Sequence, residues 1–450
     1  MQHGMSKVFR IKKGKDIPLD GLAAKSLQGN KMPSSAALKP TDFRNLIPKL
    51  EVKAGMEVKA GDVLFYDKSN PQIKFTSPVS GEVAEVVRGE RRAIQEIRVL
   101  LDQNIGYKAF DTGSANSREG AKELLLDSGL WPFMVERPFG VIANPDETPK
   151  AIHISCFDSS PLAPDYTFTL EGESAAFARG ISLLKLLTNG AVHINVDGSK
   201  PKPSFISDAK GAIISEFIGP HPAGLVGVQI HHIDAINKGD IVWTLNPQSV
   251  VFIGRLMING HVDLRKKIAV AGSQANNPSY VETIHGANIE NLVGKLKEGN
   301  TRIISGGILT GTKIGSKGYL GFHDNGILAI PEGDHFEFLG WLFPSYARPT
   351  ISNSLPISKF LKKSFAANTN MHGEERAFVV SGEYEKVLPM DILPVQLLKA
   401  TLAQDLEAME NLGIYEVIEE DLALCEFVCT SKIEVQQILS DGIKLMEEES

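Results

Sequence analysis

The stretch Gly55-Met56-Glu57-Val58-Lys59-Ala60-Gly61-Asp62-Val63-Leu64-Phe65 is followed by Phe75-Thr76-Ser77-Pro78-Val79-Ser80-Gly81-Glu82-Val83-Ala84-Glu85-Val86. In both stretches apolar and polar residues alternate, and glycine stands at the corners. Strand side chains alternate between two faces and glycine tolerates turn conformations, so this pattern is typical of short strands joined by tight turns. The sequence therefore predicts a first module made of strands over residues 8–101.

These two stretches resemble the biotinyl/lipoyl-type barrel-sandwich hybrid, whose hairpins read Gly-x-x-Val-x-x-Gly-Asp-x-Leu and Ser-Pro-x-x-Gly-x-Val. We therefore expect a barrel-sandwich hybrid domain over residues 1–110. A carrier domain of this fold is modified on a lysine at the tip of an exposed hairpin, and Lys68 is the only candidate. Its spacing to Ser77 is too long for the lipoyl pattern, so an unmodified, solvated turn lysine is the favoured interpretation.

A second domain is predicted over residues 111–255, after a polar linker at residues 111–118 that is rich in Ser, Gly and Asn. Helical patterns alternate there with apolar strands, which favours a parallel sheet covered on both faces, a Rossmann-like α/β domain. The predicted helices are Glu119–Leu126 and Glu173–Leu187, and the predicted strands are Ala151–Phe157, Ala191–Val196, Ala212–Ile214 and Val250–Ile253.

The rest of the chain is predicted to form two further domains. Residues 256–342 read as a β-grasp (SLBB-like) domain, built from a hairpin, a helix and a returning strand. Residues 343–450 read as a loop followed by a helical domain, degenerate and ferredoxin-like. The predicted elements are the hairpin strands Ile268–Gly272 and Tyr280–Ile284, a helix over Asn288–Leu296, the strand Arg302–Gly307, a helix opened by Asp391–Pro394 and a helix over Ala400–Leu412.

Composition narrows the class of function. The 450 residues carry a formal net charge of −7, which argues against nucleic acid as the main partner. No apolar run approaches the roughly 20 residues that span a bilayer, so a membrane role is expected to be peripheral. The start of the chain has no signal-peptide pattern, and the cysteine total of three is odd, so we expect a reducing compartment.

Two of the three cysteines stand in Cys425-Glu426-Phe427-Val428-Cys429, after an acidic stretch with helical character. An iron–sulfur cluster of the bacterial type takes four thiolates spaced Cys-x-x-Cys-x-x-Cys-x-x-x-Cys. The first two positions of that run are Glu419 and Leu422, which cannot replace thiolates. We therefore expect a vestigial cluster run without metal, with Cys425 and Cys429 buried as ordinary packing.

No catalytic group stands out. The segments Gly219–Gly227 and Gly306–Lys313 are weak phosphate-binding candidates, since the first contains two prolines and the second lacks a P-loop ending. His231 and His232 are adjacent and would point to opposite faces of a strand, while His153 and His193 lie in apolar strands that favour hydrogen-bonded core histidines. No dinucleotide fingerprint is present.

One aromatic stretch is a candidate binding surface. Residues 128–139 combine aromatic residues with two prolines ahead of the first predicted sheet strand, a composition suited to an apolar cleft for a planar ligand. Packing against a neighbouring domain is an equally good interpretation. The candidate contact residues are Trp131, Pro132, Phe133 and Phe139.

The order of the domains resembles the RnfC subunit of the Rnf complex and the NADH-binding subunit of respiratory complex I. Several stretches are more similar to the NqrA family, which belongs to the sodium-translocating NADH:quinone oxidoreductases, or Nqr. Those stretches are Lys12–Gly14, Phe75–Pro78, Trp131–Phe133, Phe157–Asp165, Gly219–Gly227 and Asp421–Cys429.

The resemblance implies a peripheral subunit on the cytoplasmic face of the bacterial inner membrane, in a complex that oxidises NADH, reduces ubiquinone and exports sodium. The whole complex would use NAD, FAD, FMN, riboflavin, an iron–sulfur cluster, ubiquinone and sodium, and its other membrane and flavin-bearing subunits would be the partners. Related cofactor-bearing subunits carry a glycine-rich loop where this chain has Gly129–Phe133, with bulky Leu130 and Trp131. This chain is therefore expected to bind no cofactor and to contribute to or support the quinone site.

Other functions remain open at this point. Within the same family the chain could be purely a structural scaffold. As a flavin-dependent NADH-oxidising subunit it would need the glycine loop that Leu130 and Trp131 replace. As an acyl or carboxyl carrier it would need a modified Lys68.

Overall fold

The computed structural model describes residues 7–333 and 364–449. The predicted boundary between residues 342 and 343 lies outside the described residues. Within the described ranges, no helix has the length and apolar character needed to cross a membrane.

Twenty strands and ten α-helices make up the described chain. The strands are Lys7–Arg10 (β1), Ala24–Asn30 (β2), Ser35–Leu38 (β3), Pro48–Leu50 (β4), Glu57–Val58 (β5), Val63–Asp67 (β6), Lys74–Thr76 (β7), Gly81–Arg88 (β8), Ile94–Leu100 (β9), Val135–Arg137 (β10), Val141–Ile142 (β11), Ala151–Ser155 (β12), Ala191–Asp197 (β13), Ile213–Ile218 (β14), Val242–Leu245 (β15), Arg265–Ala271 (β16), Ser279–Ile284 (β17), Thr301–Ser305 (β18), Thr312–Ile314 (β19) and Gly326–Pro331 (β20). The helices are Arg118–Asp127 (α1), Tyr166–Thr169 (α2), Ser174–Leu184 (α3), Val226–Asp234 (α4), Pro247–Asn259 (α5), Tyr384–Val387 (α6), Pro394–Leu402 (α7), Leu406–Asn411 (α8), Glu419–Val428 (α9) and Val435–Glu448 (α10).

The first module is built from two small antiparallel sheets, with strand orders β3-β9-β8-β5 and β4-β6-β7. Phe65 on β6 and Phe75 on β7 are cross-strand neighbours whose rings stack with centroids 4.4 Å apart, and both are buried. Gly81 has φ 144°, and a Cβ there would lie 1.9 Å from the carbonyl oxygen of Leu100. The glycine at this corner is therefore required by a close backbone approach.

The first two strands do not join these sheets, which differs from the module predicted over residues 8–101. Strand β1 runs parallel to β14 in the α/β sheet, where Phe9 stacks on Phe217 at 4.8 Å. Strand β2 runs parallel to β17 in a separate six-stranded sheet. Alternation along the chain indicates a strand but not its pairing partner, so the sequence did not reveal these crossings.

The second large unit is a seven-stranded sheet of order β1-β14-β13-β12-β15-β10-β11. Its strands from β1 to β15 pair in parallel, and β10 and β11 add an antiparallel edge. Ile152 and Ile154 face helices α3 and α5, while the alternating Ser155 faces α4 and bonds Gln229. The predicted parallel sheet covered on both faces is confirmed for its five parallel strands.

The predicted strand Val250–Ile253 is wrong, because these residues lie inside helix α5. The side chain of Asn246 caps the helix by accepting from the Ser249 N–H, Pro247 occupies the first turn, and Gly260 ends the helix in the left-handed conformation. The four residues are at most 1% exposed. A short apolar run does not distinguish a buried strand from a helix that is buried on all sides. The strand of this region is β15, just before the cap.

Helices α3 and α5 cross at small residues. A Cβ on Gly254 would lie 1.7 Å from the Ala176 carbonyl oxygen, and one on Gly180 would lie 2.2 Å from that of Val250. The two backbones are therefore in contact, and larger side chains would push them apart.

The six-stranded sheet has the order β19-β18-β20-β16-β17-β2. The predicted hairpin and returning strand are present as β16, β17 and β18. The helix predicted over Asn288–Leu296 is wrong, because these residues form turns and two isolated bridges, and Gly294 has φ 70°. The Asn288 side chain accepts from the Glu290 N–H at 3.1 Å, a local bond that competes with helix formation.

The C-terminal part consists of helices α6 to α10. The helix predicted to open at Asp391–Pro394 begins at Pro394, as α7. The single helix predicted over Ala400–Leu412 is wrong, because α7 ends at Leu402 and Gln404 has φ 55°. Asp405 then caps α8 by accepting from the Ala408 N–H.

We predict that Gly254→Ala destabilises the chain by about 1–3 kcal/mol, because its methyl group would overlap the α3 backbone. Thermal or denaturant unfolding of the purified chain measures this. Gly315→Ala is the matched control, since a Cβ there meets nothing within 4 Å, and its effect should stay within about 0.5 kcal/mol. Equal stability of the two variants would contradict the close crossing.

Candidate functional site

A cleft of about 420 Å³ opens where the four parts of the chain meet. Its floor is the carboxyl end of β12 and β15, at Ser155 and Leu245. From β12 the chain continues to β13 on one side, whereas β15 lies on the other side. Such a reversal of strand order leaves a crevice above the strand ends, which is the usual ligand position in open α/β sheets.

Aromatic and aliphatic side chains form much of the cleft wall. They come from the first module (Phe43), the α/β sheet (Phe133, Phe157) and the six-stranded sheet (Leu309, Leu328). Phe322 lies behind them, with ring centroids 4.4 Å from Phe133 and 4.7 Å from Phe43. A wall of this kind suits a planar apolar ligand.

A buried ion-pair cluster closes one side of the cleft. Arg137 on β10 is 1% exposed, and it donates at 2.6 Å to Asp421 and at 2.6 Å to Glu420, both on α9. Asp421 is fully buried, whereas the Glu420 side chain is 37% exposed. Helix α4 passes close by, since a Cβ on Gly227 would lie 2.2 Å from Asp421 Oδ1.

One guanidinium therefore faces two carboxylates, and Asp158 in the cleft adds a third negative group. Burial raises the pKa of Glu420 to about 7, Asp421 and Asp158 raise it further, and Arg137 opposes the shift. Burial and the neighbouring carboxylates thus raise the pKa of Glu420, which lies in the cleft wall, towards neutrality.

His221 lines the cleft from the loop before α4. Its Nδ1 lies 3.0 Å from Ser159 Oγ, and Ser159 Oγ also accepts the Gly224 N–H at 2.8 Å. Its Nε2 is buried and has no hydrogen-bond partner among the described residues. Burial lowers the pKa of His221, so the imidazole is neutral at pH 7.

Comparison with known proteins identifies the family. The model of the NqrA N-terminal barrel-sandwich hybrid domain matches residues 9–102, that of the NqrA second alpha/beta domain residues 116–262, and that of the NQRA C-terminal domain, of SLBB type, residues 267–316. The NqrA subunit of the Na(+)-translocating NADH-quinone reductase of Yersinia pseudotuberculosis serotype O:1b is 38% identical over 98% of this chain and 100% of that relative. The corresponding subunits of Serratia proteamaculans and Neisseria meningitidis serogroup B are 38% and 37% identical, over the same shares.

The chain belongs to the NqrA family. The predicted family and the predicted barrel-sandwich, α/β and SLBB domains are thereby confirmed. The relatives are named as subunits of an enzyme complex, which agrees with the predicted class of function.

Of the four residues predicted to form a contact surface, only one lines the cleft. Phe133 lines the cleft, whereas Trp131, Pro132 and Phe139 are not among its lining residues. Trp131 is 1% exposed, donates to the Ala143 carbonyl at 2.7 Å and packs edge-on against Trp243 at 5.4 Å. Pro132 is buried beside it, and Phe139 packs on Tyr415 at 6.0 Å.

The vestigial cluster positions lie on and just after α9. Glu419 forms an ion pair with Arg44, Leu422 is fully buried, and Cys425 and Cys429 are 1% and 4% exposed with free thiols. Burial raises the pKa of the Cys425 thiol, which keeps it protonated. The two cysteines are buried, as predicted. Across residues 7–333 and 364–449, no three His, Cys, Asp or Glu side chains are grouped so that they could hold a metal ion.

The other histidines considered from the sequence lie outside the cleft. His231 and His232 lie on helix α4, not on a strand, and His231 bonds Glu416 at 2.7 Å. His153 and His193 lie side by side on β12 and β13, with stacked rings 4.4 Å apart. The Nδ1 atoms of this pair have no partner among the described residues, so the hydrogen bonding expected of core histidines is not seen at those atoms.

Sequence reasoning did not single out Arg137, Glu420 or His221. An arginine within an apolar stretch and an acidic pair at a helix start were signals of a buried ion pair. His221 lay inside the Gly219–Gly227 segment that was considered for phosphate. The His221 ring is oriented by its bond to Ser159, which is distant in the sequence.

We predict that Glu420→Gln weakens the pH dependence of stability. Because the folded pKa of Glu420 is raised, its proton stabilises the native state fully below the unfolded value, and this stabilisation is lost as pH rises through about 7. Between about pH 5.5 and 8 the melting temperature of the wild type should therefore fall more than that of Glu420→Gln. Parallel melting curves across this range would contradict the assignment.

Proposed function

We propose that this chain is the peripheral NqrA subunit of a membrane complex that oxidises NADH, reduces ubiquinone and exports sodium, and that its cleft contributes to the quinone site. Family membership supports the first part, because the relatives are named as subunits of Na(+)-translocating NADH-quinone reductase. The chain would dock on the other Nqr subunits at the cytoplasmic face of the bacterial inner membrane.

The observation that carries the quinone assignment is the cleft at the strand ends. A quinone headgroup is planar and apolar and carries two carbonyl oxygens. The cleft offers an aromatic wall at Phe43 and Phe133, together with polar groups at Glu420 and His221. Few polar groups set in an apolar wall are typical of small-molecule sites.

The four predicted contact residues would have different roles at the quinone site. Phe133 would touch the headgroup. Trp131 and Pro132, being buried, would hold the loop that presents Phe133, and Phe139 would support α9 through Tyr415.

We further propose that the chain binds no cofactor of its own. Related flavin-bearing subunits place glycines where this chain has Leu130 and Trp131. These two residues are 0% and 1% exposed, so their side chains fill the space that a glycine loop would leave for a ligand. Kinship with RnfC and the NADH-binding subunit of complex I, the Rossmann-like character of the α/β domain, and the domain boundaries at 110, 255 and 342 belong to the same proposal.

We predict that Phe133→Leu in the assembled complex raises the ubiquinone KM by about 3- to 10-fold, the size of one lost aromatic contact. The NADH-to-quinone rate is measured against quinone concentration and normalised to NADH oxidation by an artificial acceptor. Phe177→Leu is the control, because Phe177 is equally buried but packs on Phe205 away from the cleft.

An unchanged KM in Phe133→Leu would favour the second candidate function, a purely structural scaffold. Calorimetric titration of the purified chain with a water-soluble ubiquinone analogue separates the two directly. Trp131→Ala is a poor test, because removing this core side chain should cost about 3–5 kcal/mol of stability whatever the function.

A further inference from the structure

His221 is held rigidly although its Nε2 has no partner among the described residues. Its backbone N–H donates to Asp16 at 2.9 Å, and its carbonyl accepts the Lys15 N–H at 2.7 Å. The residue is 2% exposed, and its ring bonds Ser159 on one side only. An imidazole fixed in this way loses little entropy when it binds a ligand.

The partners of Ser159 determine which ring nitrogen carries the proton. Ser159 Oγ accepts from the Gly224 N–H, and among the described residues its own O–H has no acceptor other than His221 Nδ1, at 3.0 Å. A neutral imidazole that accepts at Nδ1 carries its hydrogen on Nε2. The ring atom that lacks a partner among the described residues is therefore a hydrogen-bond donor.

An unpaired buried donor is costly, and native proteins rarely keep one without a partner or a function. The cleft that His221 lines also contains Glu420 and Asp158, and Asp158 influences the pKa of both His221 and Glu420. These polar groups of the cleft thus lie together.

We propose that His221 Nε2–H, fixed as a donor by Ser159, anchors a carbonyl oxygen of the ligand in the cleft, a planar dione of the para-quinone class. This rests on the proposed quinone site and assigns its recognition element. A donor prefers the carbonyl oxygen of the oxidised ring to the hydroxyl of the reduced ring, so the same bond would favour quinone over quinol.

Gly224 is needed for the hydrogen bond from its N–H to Ser159 Oγ. A Cβ at this position would lie 2.5 Å from the Ser159 backbone nitrogen and 2.9 Å from Ser159 Oγ. Only glycine lets the loop before α4 approach Ser159 closely enough for this bond.

The test compares His221→Gln with His221→Asn in the assembled complex. The Gln amide reaches the position of Nε2 and keeps a donor there, whereas the Asn amide reaches only the position of Nδ1. We expect His221→Asn to raise the ubiquinone KM by about tenfold and His221→Gln to keep it within about threefold, the range of one hydrogen bond. Ser159→Ala, which frees the tautomer, should fall between them.

A second readout separates anchoring from a structural role. Inhibition by the matching quinol is measured for each variant, and His221→Asn should lose affinity for quinone more than for quinol. His193→Asn is the matched control, because His193 is a buried histidine that does not line the cleft. Thermal unfolding of each variant shows whether it is folded.

The outcomes are distinct. If Phe133→Leu raises the KM but His221→Asn and His221→Gln behave alike, the cleft binds quinone and the anchor is wrong. If neither the Phe133 nor the His221 variants change the KM, and the purified chain takes up no quinone analogue, the quinone role proposed for the cleft is overturned. Equal loss of quinone and quinol affinity in His221→Asn would also refute the anchor.

Discussion

A buried ion pair between Arg137 on β10 and the carboxylates of Asp421 and Glu420 on α9 links the helical part to the α/β sheet. Arg137 is the only cation that contacts Asp421 and Glu420 among the described residues, and it does so from the antiparallel edge of the α/β sheet. Removing one partner of such a buried pair typically costs about 3–5 kcal/mol, because the other charge is left without compensation. This contact therefore fixes the start of α9 against the edge of the α/β sheet.

Arg137 and Glu420 both line the cleft, so their contact also shapes it. Glu420 and Ala423 of α9 form one wall, and the strand ends of the α/β sheet form the floor. Phe43 comes from the first module and Leu328 from the six-stranded sheet. No single domain contains the whole site. A ligand bound there would sense the arrangement of all four parts, which suits a subunit that works inside a larger complex.

The proposal that the chain binds no cofactor of its own rests on how two segments pack. Where a glycine loop would leave room, Leu130 and Trp131 are core residues, and Trp131 packs on Trp243. Where cluster thiolates would converge, Leu422, Cys425 and Cys429 are packed in the apolar core of the helical part. In both segments the side chains fill the interior, and the cleft lies at the junction between the parts.

By itself the sequence determined the local structure wherever apolar residues recur with a clear period or wherever glycine marks a tight turn. The strands around Gly61 and Gly81, the strands Ala151–Ser155 and Ala191–Asp197, and the burial of Cys425 and Cys429 followed from alternation, glycine and apolar runs. The family also followed from short motifs spread along the chain.

Tertiary structure decided the rest. The run Val250–Ile253 lies in a fully buried helix that packs against α3, and its burial hides the helical period. Strands β1 and β2 join sheets whose other strands come much later in the chain. Arg137 meets Asp421, and His221 meets Ser159, across separations that no local pattern encodes. Pairing of distant groups depends on how the elements pack, so the site could be located only once the fold was known.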